Sequence, residues 1–231
     1  MIGDRILTDL RHAEKTVPAP RGKLKAFVPT DAIGMFLMPI SMGINGRNVA
    51  KGTSPLAGRL GERVLAETIT VVDDPHVDYS TGAAEIDGSG IRTRKQSLFE
   101  SGVLQRFLYD LDTAGLAGAE PTGNNGCSAY WPVFRPGRRP SRELLAEIDD
   151  GIYIKDLIGF GQGNLINGDF SCLLGLGYRV QKGEIVGRIK DTMIAGNIYE
   201  LLARNVELSS DMNHEGRLPH ALVEGLSVTS R

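Results

Sequence analysis

Gly177-Tyr178-Arg179-Val180-Gln181-Lys182-Gly183-Glu184-Ile185-Val186-Gly187-Arg188-Ile189-Lys190 is the stretch on which the fold turns. Tyr178 and Val180 alternate on one arm, Ile185 and Ile189 on the other, with Lys182-Gly183 between them. A period of two marks a half-buried strand. Glycine at the second position of a two-residue turn supplies positive φ without a steric penalty. The stretch therefore predicts an antiparallel hairpin. Gln96-Ser97-Leu98-Phe99, turning at Glu100-Ser101-Gly102 into Val103 to Tyr109, repeats the device. Shared turn chemistry accounts for that likeness as well as an internal repeat would.

Glycine makes up 29 of 231 residues, against about 7% in an average chain. No three-residue period points to collagen, and 41% hydrophobic content is too high for a disordered linker. Nineteen of the glycines fall between Gly82 and Gly196, so the turns concentrate there. Around this region, residues 2–15 space Ile2, Ile6, Leu7, Leu10 and Ala13 as a helix, and Pro18, Pro20 and Gly22 mark a loop. Leu24 to Val28 reads as a strand. Thr30-Asp31 opens a helix through Ile33, Phe36, Leu37 and Ile40, kinked at Pro39 and ended by Gly43 and Gly46. Residues 47–62 read as a loop or an irregular turn, and Thr68 to Val72 as a strand stopped by Asp73-Asp74-Pro75. Ser141 is placed to cap a helix over Arg142 to Asp150 that stops at Gly151. Asn197 begins another, with Ile198, Leu201, Leu202 and Val206 on its apolar face, and Leu218 to Val228 alternates as a last strand. The sum is an α+β fold, largely antiparallel β with a few packed helices.

Charge and cysteine usage exclude several classes. A formal net charge of −2 gives no basic field for nucleic acid or anionic lipid. Two cysteines, Cys127 and Cys172, neither staple a scaffold nor carry metal-ligand spacing, which fits a reducing cytoplasm. Asp4, Arg5, Asp9, Arg11 and Glu14 rule out a signal peptide at this N-terminus. The longest uncharged run, Ala32 to Gly46, contains Pro39 and is shorter than the ~20 residues that cross a bilayer.

The most tempting motif is His214-Glu215-Gly216-Arg217-Leu218-Pro219-His220. A zinc hydrolase of the helical type needs two imidazoles on one helical face at i and i+4. Here Gly216 and Pro219 forbid a regular helix, and the segment reads as a strand-end loop. Gly159-Phe160-Gly161-Gln162-Gly163-Asn164 has neither the dinucleotide spacing nor a Gly-Lys-Ser/Thr ending, which leaves a glycine-rich turn. Cys172 as a nucleophile would need a base, and His12, His76, His214 and His220 are all distant in sequence. Arg135, Arg138, Arg139 and Arg142 are interrupted by Pro136, Gly137 and Pro140, as in a solvated turn or subunit contact. Amides in glycine-rich settings remain: Asn124, Asn125, Asn164, Asn167 beside Asp169, and Asn197. They either present hydrogen bonds to an extended peptide or serve as turn-formers.

Taken in order, several short strings resemble the TldD/PmbA family. They are Asp73-Asp74-Pro75, Asp87-Gly88-Ser89-Gly90, Arg92-Thr93-Arg94, Gly102-Val103-Leu104-Gln105 and Pro121-Thr122-Gly123. Gly161 and Gly163, Asn167-Gly168-Asp169-Phe170-Ser171, Gly177-Tyr178 with Gly183, and Ile194-Ala195-Gly196-Asn197 complete the set. The ordered series spans roughly residues 24–230 and is most similar to the PmbA/TldE branch. The resemblance implies the family's largely antiparallel C-terminal domain over residues 24–231. Residues 1–23 would then be a helix and linker from an N-terminal half that is missing or separate.

The same resemblance implies a cytoplasmic metallopeptidase complex. In it a TldD-like subunit carries a His-Glu-x-x-x-His motif with zinc or a similar metal, and its partner is non-catalytic. Substrates would be unfolded or leader peptides, so the complex would serve proteolysis and peptide maturation. The family also bears the label modulator of DNA gyrase, which a chain of this charge does not favour. No metal or catalytic residue is expected in this chain, whose partners would be a TldD-like subunit and an extended peptide. The peptide-lining candidates are Asn124, Asn125, Asn167, Asp169, Ser171 and Asn197. Two other readings stay open: a stand-alone scaffold or homodimer without peptidase activity, and an independent hydrolase using Cys172 or a metal at His214/Glu215/His220.

Overall fold

The structure is a computed structural model describing residues 2–204 and 206–230; the side chains of Ile2, Asp4 and Arg5 lie outside the described set. In chain order it runs α1 (Ile2–Ala13), β1 (Gly22–Val28), α2 (Thr30–Ile44), α3 (Gly46–Ala50) and β2 (Val71–Asp73). Then come β3 (Gln96–Glu100), β4 (Val103–Leu104), α4 (Leu111–Ala117), β5 (Pro132–Phe134), α5 (Ser141–Ala146) and β6 (Asp150–Ile158). The chain finishes with β7 (Asp169–Gln181), β8 (Glu184–Ile189), β9 (Thr192–Asn197), α6 (Ile198–Ala203), β10 (Val206–Met212) and β11 (Pro219–Ser230).

Two sheets form. In the larger, β1 pairs antiparallel with β11 and parallel with β6, and the path β1-β6-β7-β9-β11 returns to β1. Five strands therefore close into a ring, with β8 attached to β7 and β10 to β11. The smaller sheet is antiparallel in the order β4-β3-β2-β5. Both hairpins form where the sequence places them. Ser101-Gly102 and Lys182-Gly183 each have two consecutive positive φ angles (47° and 78°; 50° and 80°), the signature of a type I′ turn matched to strand twist.

Strand alternation sorts the core. Ala26, Val28, Ile152, Ile154, Cys172, Leu174, Ile194 and Val228 are buried in one large cluster. Phe27 points the other way, into a smaller cluster with Leu144, Ile148, Val180 and Leu222 beneath α5. A helix–strand aromatic knot, Phe36 with Phe160 and Phe170 at centroid distances of 5.8 Å, joins α2 to the ring.

Several local expectations are corrected. Residues 47–62 do not begin as loop, because the Asn45 side chain accepts from the Arg47 N–H at 3.0 Å and caps α3. The helix at Ser141 stops at Ala146: Asp150 and Gly151 are taken by β6, Gly151 pairing with Lys25 of β1. Ser141 caps nothing with its side chain; Pro140 is the N-cap, and the Ser141 N–H donates to Asp211 at 2.6 Å. The second arm of the first hairpin ends at Leu104, since Leu108 is drawn to the end of α2 (N–H to the Ile44 carbonyl, 2.9 Å). Val206 belongs to β10, not to α6. α2 runs through Pro39 to Ile44. The apolar face of α1 does not pack inward: Ile6, Leu7 and Leu10 are 54–59% exposed. Its polar side docks instead, with Lys155 Nζ 3.1 Å from Asp9 and the Tyr178 hydroxyl donating to the Asp9 carbonyl at 3.2 Å.

Candidate functional site

The site begins with a change of partner in β11. One edge of that strand pairs with β1 along its length; the other pairs with β10 as far as Val223 and with β9 from Ser227 onward. Glu224, Gly225 and Leu226 lie between, and on that edge they carry no paired strand. Opposite β1 the register slips between Leu24 and Ala26, so Glu224 and Gly225 both face Lys25. Gly225 takes φ +87°, as a bulge with glycine in the left-handed region requires. Cross-strand, Lys25 Nζ meets Glu224 Oε1 at 2.9 Å.

An open groove of about 930 Å3 lies over this bulge. Gly225, Ser227, Ala195 and Gly196 line it from the ring, and α6 with Tyr199 and Glu200 forms one wall. Arg59 and Arg63, from the turn after α3, form another. The volume falls within the size range of small-molecule and short-peptide clefts.

Of the six residues read from the sequence, Asn197 alone lines the groove, and Asn167, Asp169 and Ser171 stand next to it as neighbours of Asn197 or of β9. Asn197 lines the groove and caps α6, its side-chain oxygen accepting from the Glu200 N–H at 3.2 Å. Its amide Nδ2 donates to Asp169 Oδ1 and to the Asn167 carbonyl, both at 2.8 Å. Ser171 stands exposed on β7 directly opposite Ala195. Asn197 is therefore fixed by three hydrogen bonds before any ligand arrives.

The other two lie elsewhere. Asn124 is fully buried at the smaller sheet, where its Nδ2 donates to Asp73 Oδ2 at 2.8 Å and its Oδ1 accepts from Gln96 Nε2 at 2.6 Å. Arg106 donates to Gln96 Oε1 at 3.0 Å, and the Trp131 N–H to Asp73 Oδ1 at 2.8 Å. Burial raises the Asp73 carboxyl above the usual range, against the lowering pull of the hydrogen bonds from Trp131 and Asn124. Asn125 is exposed and adjoins Gly88 of the Asp87 loop. The motif residues of this half pack together: the Thr93 hydroxyl bonds both His76 Nε2 (3.0 Å) and the Ala84 carbonyl.

The remaining motifs are absorbed by structure. Burial pushes the Cys172 thiol up to about 11, so it is a protonated core residue. Arg139 is held among Glu143, Glu147 and Glu207. Glu215 is bound by Arg217 at 2.6 Å, and His220 Nδ1 accepts from the Thr30 N–H at 3.3 Å while its Nε2 lies 3.6 Å from Asp211. Among the described residues no three His, Cys, Asp or Glu side chains are grouped to hold a metal ion. Among them, too, no helix is long and apolar enough to cross a membrane.

The sequence signals missed Lys23, Arg59, Arg63 and Arg204 as groove residues, because nothing in their local spacing links them. Only the closed ring and the return of the chain over it do so.

Residues 21–230 match the profile described as the PmbA/TldA metallopeptidase C-terminal domain. The chain is 33% identical over 193 residues to an uncharacterized protein of Methanocaldococcus jannaschii, covering 81% of this chain and 45% of that one. It is 31% identical to a metalloprotease of Methanothermobacter thermautotrophicus, covering 84% and 44% respectively. The crystal structure of TldE from Thermococcus kodakarensis superposes on 98% of this chain with a TM-score of 0.85 at 29% identity, 55% of that chain being covered. The chain thus spans a little under half the length of the curated relatives it matches.

Proposed function

The chain belongs to the PmbA/TldD metallopeptidase family, and from that premise we propose that it is a non-catalytic, TldE-like wall of a peptide chamber. The observation that carries this reading is the unpaired edge of β11 in the floor of an open groove, beside the immobilised Asn197. An extended peptide binds by main-chain hydrogen bonds to such an edge, with side chains reaching flanking pockets. Binding costs least where the receptor is already ordered, as Asn197 is.

Among the described residues the metal that the family name implies has no matching donor set. Glu215 is engaged by Arg217, and the His220 Nδ1 lone pair by Thr30. The hydrolytic centre in this reading belongs to a TldD-like partner, and the present chain orients and retains the peptide. Unfolded and leader peptides are the substrate class, in a cytoplasmic complex; the two free, buried cysteines suit a reducing compartment.

The test is reconstitution. The purified chain is mixed with a TldD-like subunit, and gel filtration is combined with cleavage of an unfolded peptide. A complex that cleaves what neither chain cleaves alone is the expected result; absence of both complex and cleavage would sink the reading. The exposed Ile6, Leu7 and Leu10 of α1 favour a second reading, a self-associating scaffold or homodimer. Sedimentation of the isolated chain separates it: a dimer abolished by Leu7→Glu supports the scaffold.

A further inference from the structure

The groove is charged against the molecule. The chain carries a formal net charge of −2, yet the groove is lined by Lys23, Arg59, Arg63 and Arg204 against only Glu200 and Glu224. Glu224 is already matched by Lys25 at 2.9 Å. Arg59 and Arg63 pair with Glu62 and Glu67, but all four side chains are 43–73% exposed. Ion pairs that exposed are weak, so each guanidinium re-partners readily with an incoming carboxylate. Lys23 and Arg204 have no carboxylate partner among the described residues.

We propose that this groove selects acidic segments of extended peptide, with Lys23, Arg59, Arg63 and Arg204 receiving Asp or Glu side chains while the open edge of β11 holds the backbone. This rests on the peptide-wall reading and adds the substrate class to it. The cations enter from three separate elements: Lys23 from β1, Arg59 and Arg63 from the turn before β2, and Arg204 from the end of α6. They surround the three-residue gap in the β11 pairing rather than forming one linear basic strip. That arrangement suits carboxylates spaced along a strand. A nucleic-acid groove would add stacked aromatic side chains along the backbone track, and among the described residues the only aromatic one lining this groove is Tyr199, whose hydroxyl is tied to the Pro39 carbonyl at 2.8 Å.

The experiment measures fluorescence anisotropy of labelled twelve-residue peptides on the full chain, at low salt and at 0.5 M salt. Three Gly/Ser/Asn peptides of equal length are used: one neutral, one with four interspersed Glu, one with four interspersed Lys. The expected order is Glu over neutral over Lys, with about a tenfold gap between the outer two at low salt that narrows as salt screens it. Lys23→Glu with Arg204→Glu, checked for folding by circular dichroism, is expected to weaken the Glu peptide about tenfold and reverse the order. Equal binding of all three overturns the acidic selectivity and leaves the peptide wall standing. No binding of any overturns both. Tighter binding of a single-stranded oligothymidylate than of the Glu peptide overturns the proposal in favour of a nucleic-acid groove.

Discussion

Arg106 and Asp73 stand at the two ends of one hydrogen-bond relay, joined through Gln96 and Asn124 at 3.0, 2.6 and 2.8 Å. A guanidinium only donates and a carboxylate only accepts. The direction of both amides between them is therefore dictated from the ends. Asp73→Asn would place an NH2 against the Asn124 NH2, and flipping each amide in turn would only move the conflict to Arg106. We expect Asp73→Asn to cost about 1–3 kcal/mol, read as a lower urea midpoint. Arg106→Gln, which supplies an acceptor at the far end, is expected to make the double variant less unstable than the two single losses combined.

Asp110 behaves oppositely to Asp73 with pH. Its burial raises the carboxyl, but Asp110 is the N-cap of α4, and the hydrogen bonds it accepts from Thr113, with the Arg47 guanidinium, bring it below the usual range. A depressed folded-state value gives stability that is present above the unfolded value of about 3.9 and lost as pH falls through the folded one. Asp110→Asn keeps a good cap without the charge. Acid titration by circular dichroism should show a smaller stability loss below pH ~4 in that variant, whereas Asp110→Ala loses about 1 kcal/mol at neutral pH as well.

Both thiols should be silent in the native protein. Cys172 is buried with its thiol near 11, and Cys127 is buried too, its sulfur accepting from the Asp110 N–H at 3.3 Å. Ellman's reagent at pH 8 is expected to react only after denaturation. Rapid labelling of Cys172 in the folded chain would contradict its place in the core.

Two glycines separate strain from collision. Gly102 and Gly225 both hold positive φ (+78° and +87°), but a Cβ at Gly102 would strike the Leu65 and Ala66 carbonyls, whereas one at Gly225 meets nothing within 4 Å. Gly225→Ala should cost about 1 kcal/mol from the left-handed backbone alone. Gly102→Ala should cost about 2 kcal/mol or more, because backbone must also move. Urea unfolding of the two variants checks the order.

What the sequence disclosed was whatever chemistry sits in consecutive residues. Lys182-Gly183 and Ser101-Gly102 announce their turns, and Asn197 announces α6, because each effect is complete within four residues. β6 escaped notice because its apolar residues face both ways, Ile152 and Ile154 into the large core and Tyr153 toward Phe27. Its alternation is blurred in the sequence, where Gly151 has the look of a helix stop. Of the polar candidates, Asn197, Asp169 and Asn167 meet because the Asn167-Gly168 turn leads into β7 and the pairing of β7 with β9 sets Asp169 opposite Asn197. Asn124, in the same kind of local sequence, is drawn into the interior by Asp73, a partner 51 positions away that no window of sequence contains.

The ring of strands also sets a timetable. β1 is made before both strands it pairs with, the antiparallel β11 and the parallel β6. Neither edge of β1 is satisfied until β6 and then β11 have followed it, and closure waits for β11 itself. Contacts of such sequence separation fold slowly and leave unpaired strands open to misassembly in the interval. Between the making of β1 and the making of β11 the ring stays open, and this is the period in which a chaperone would matter most.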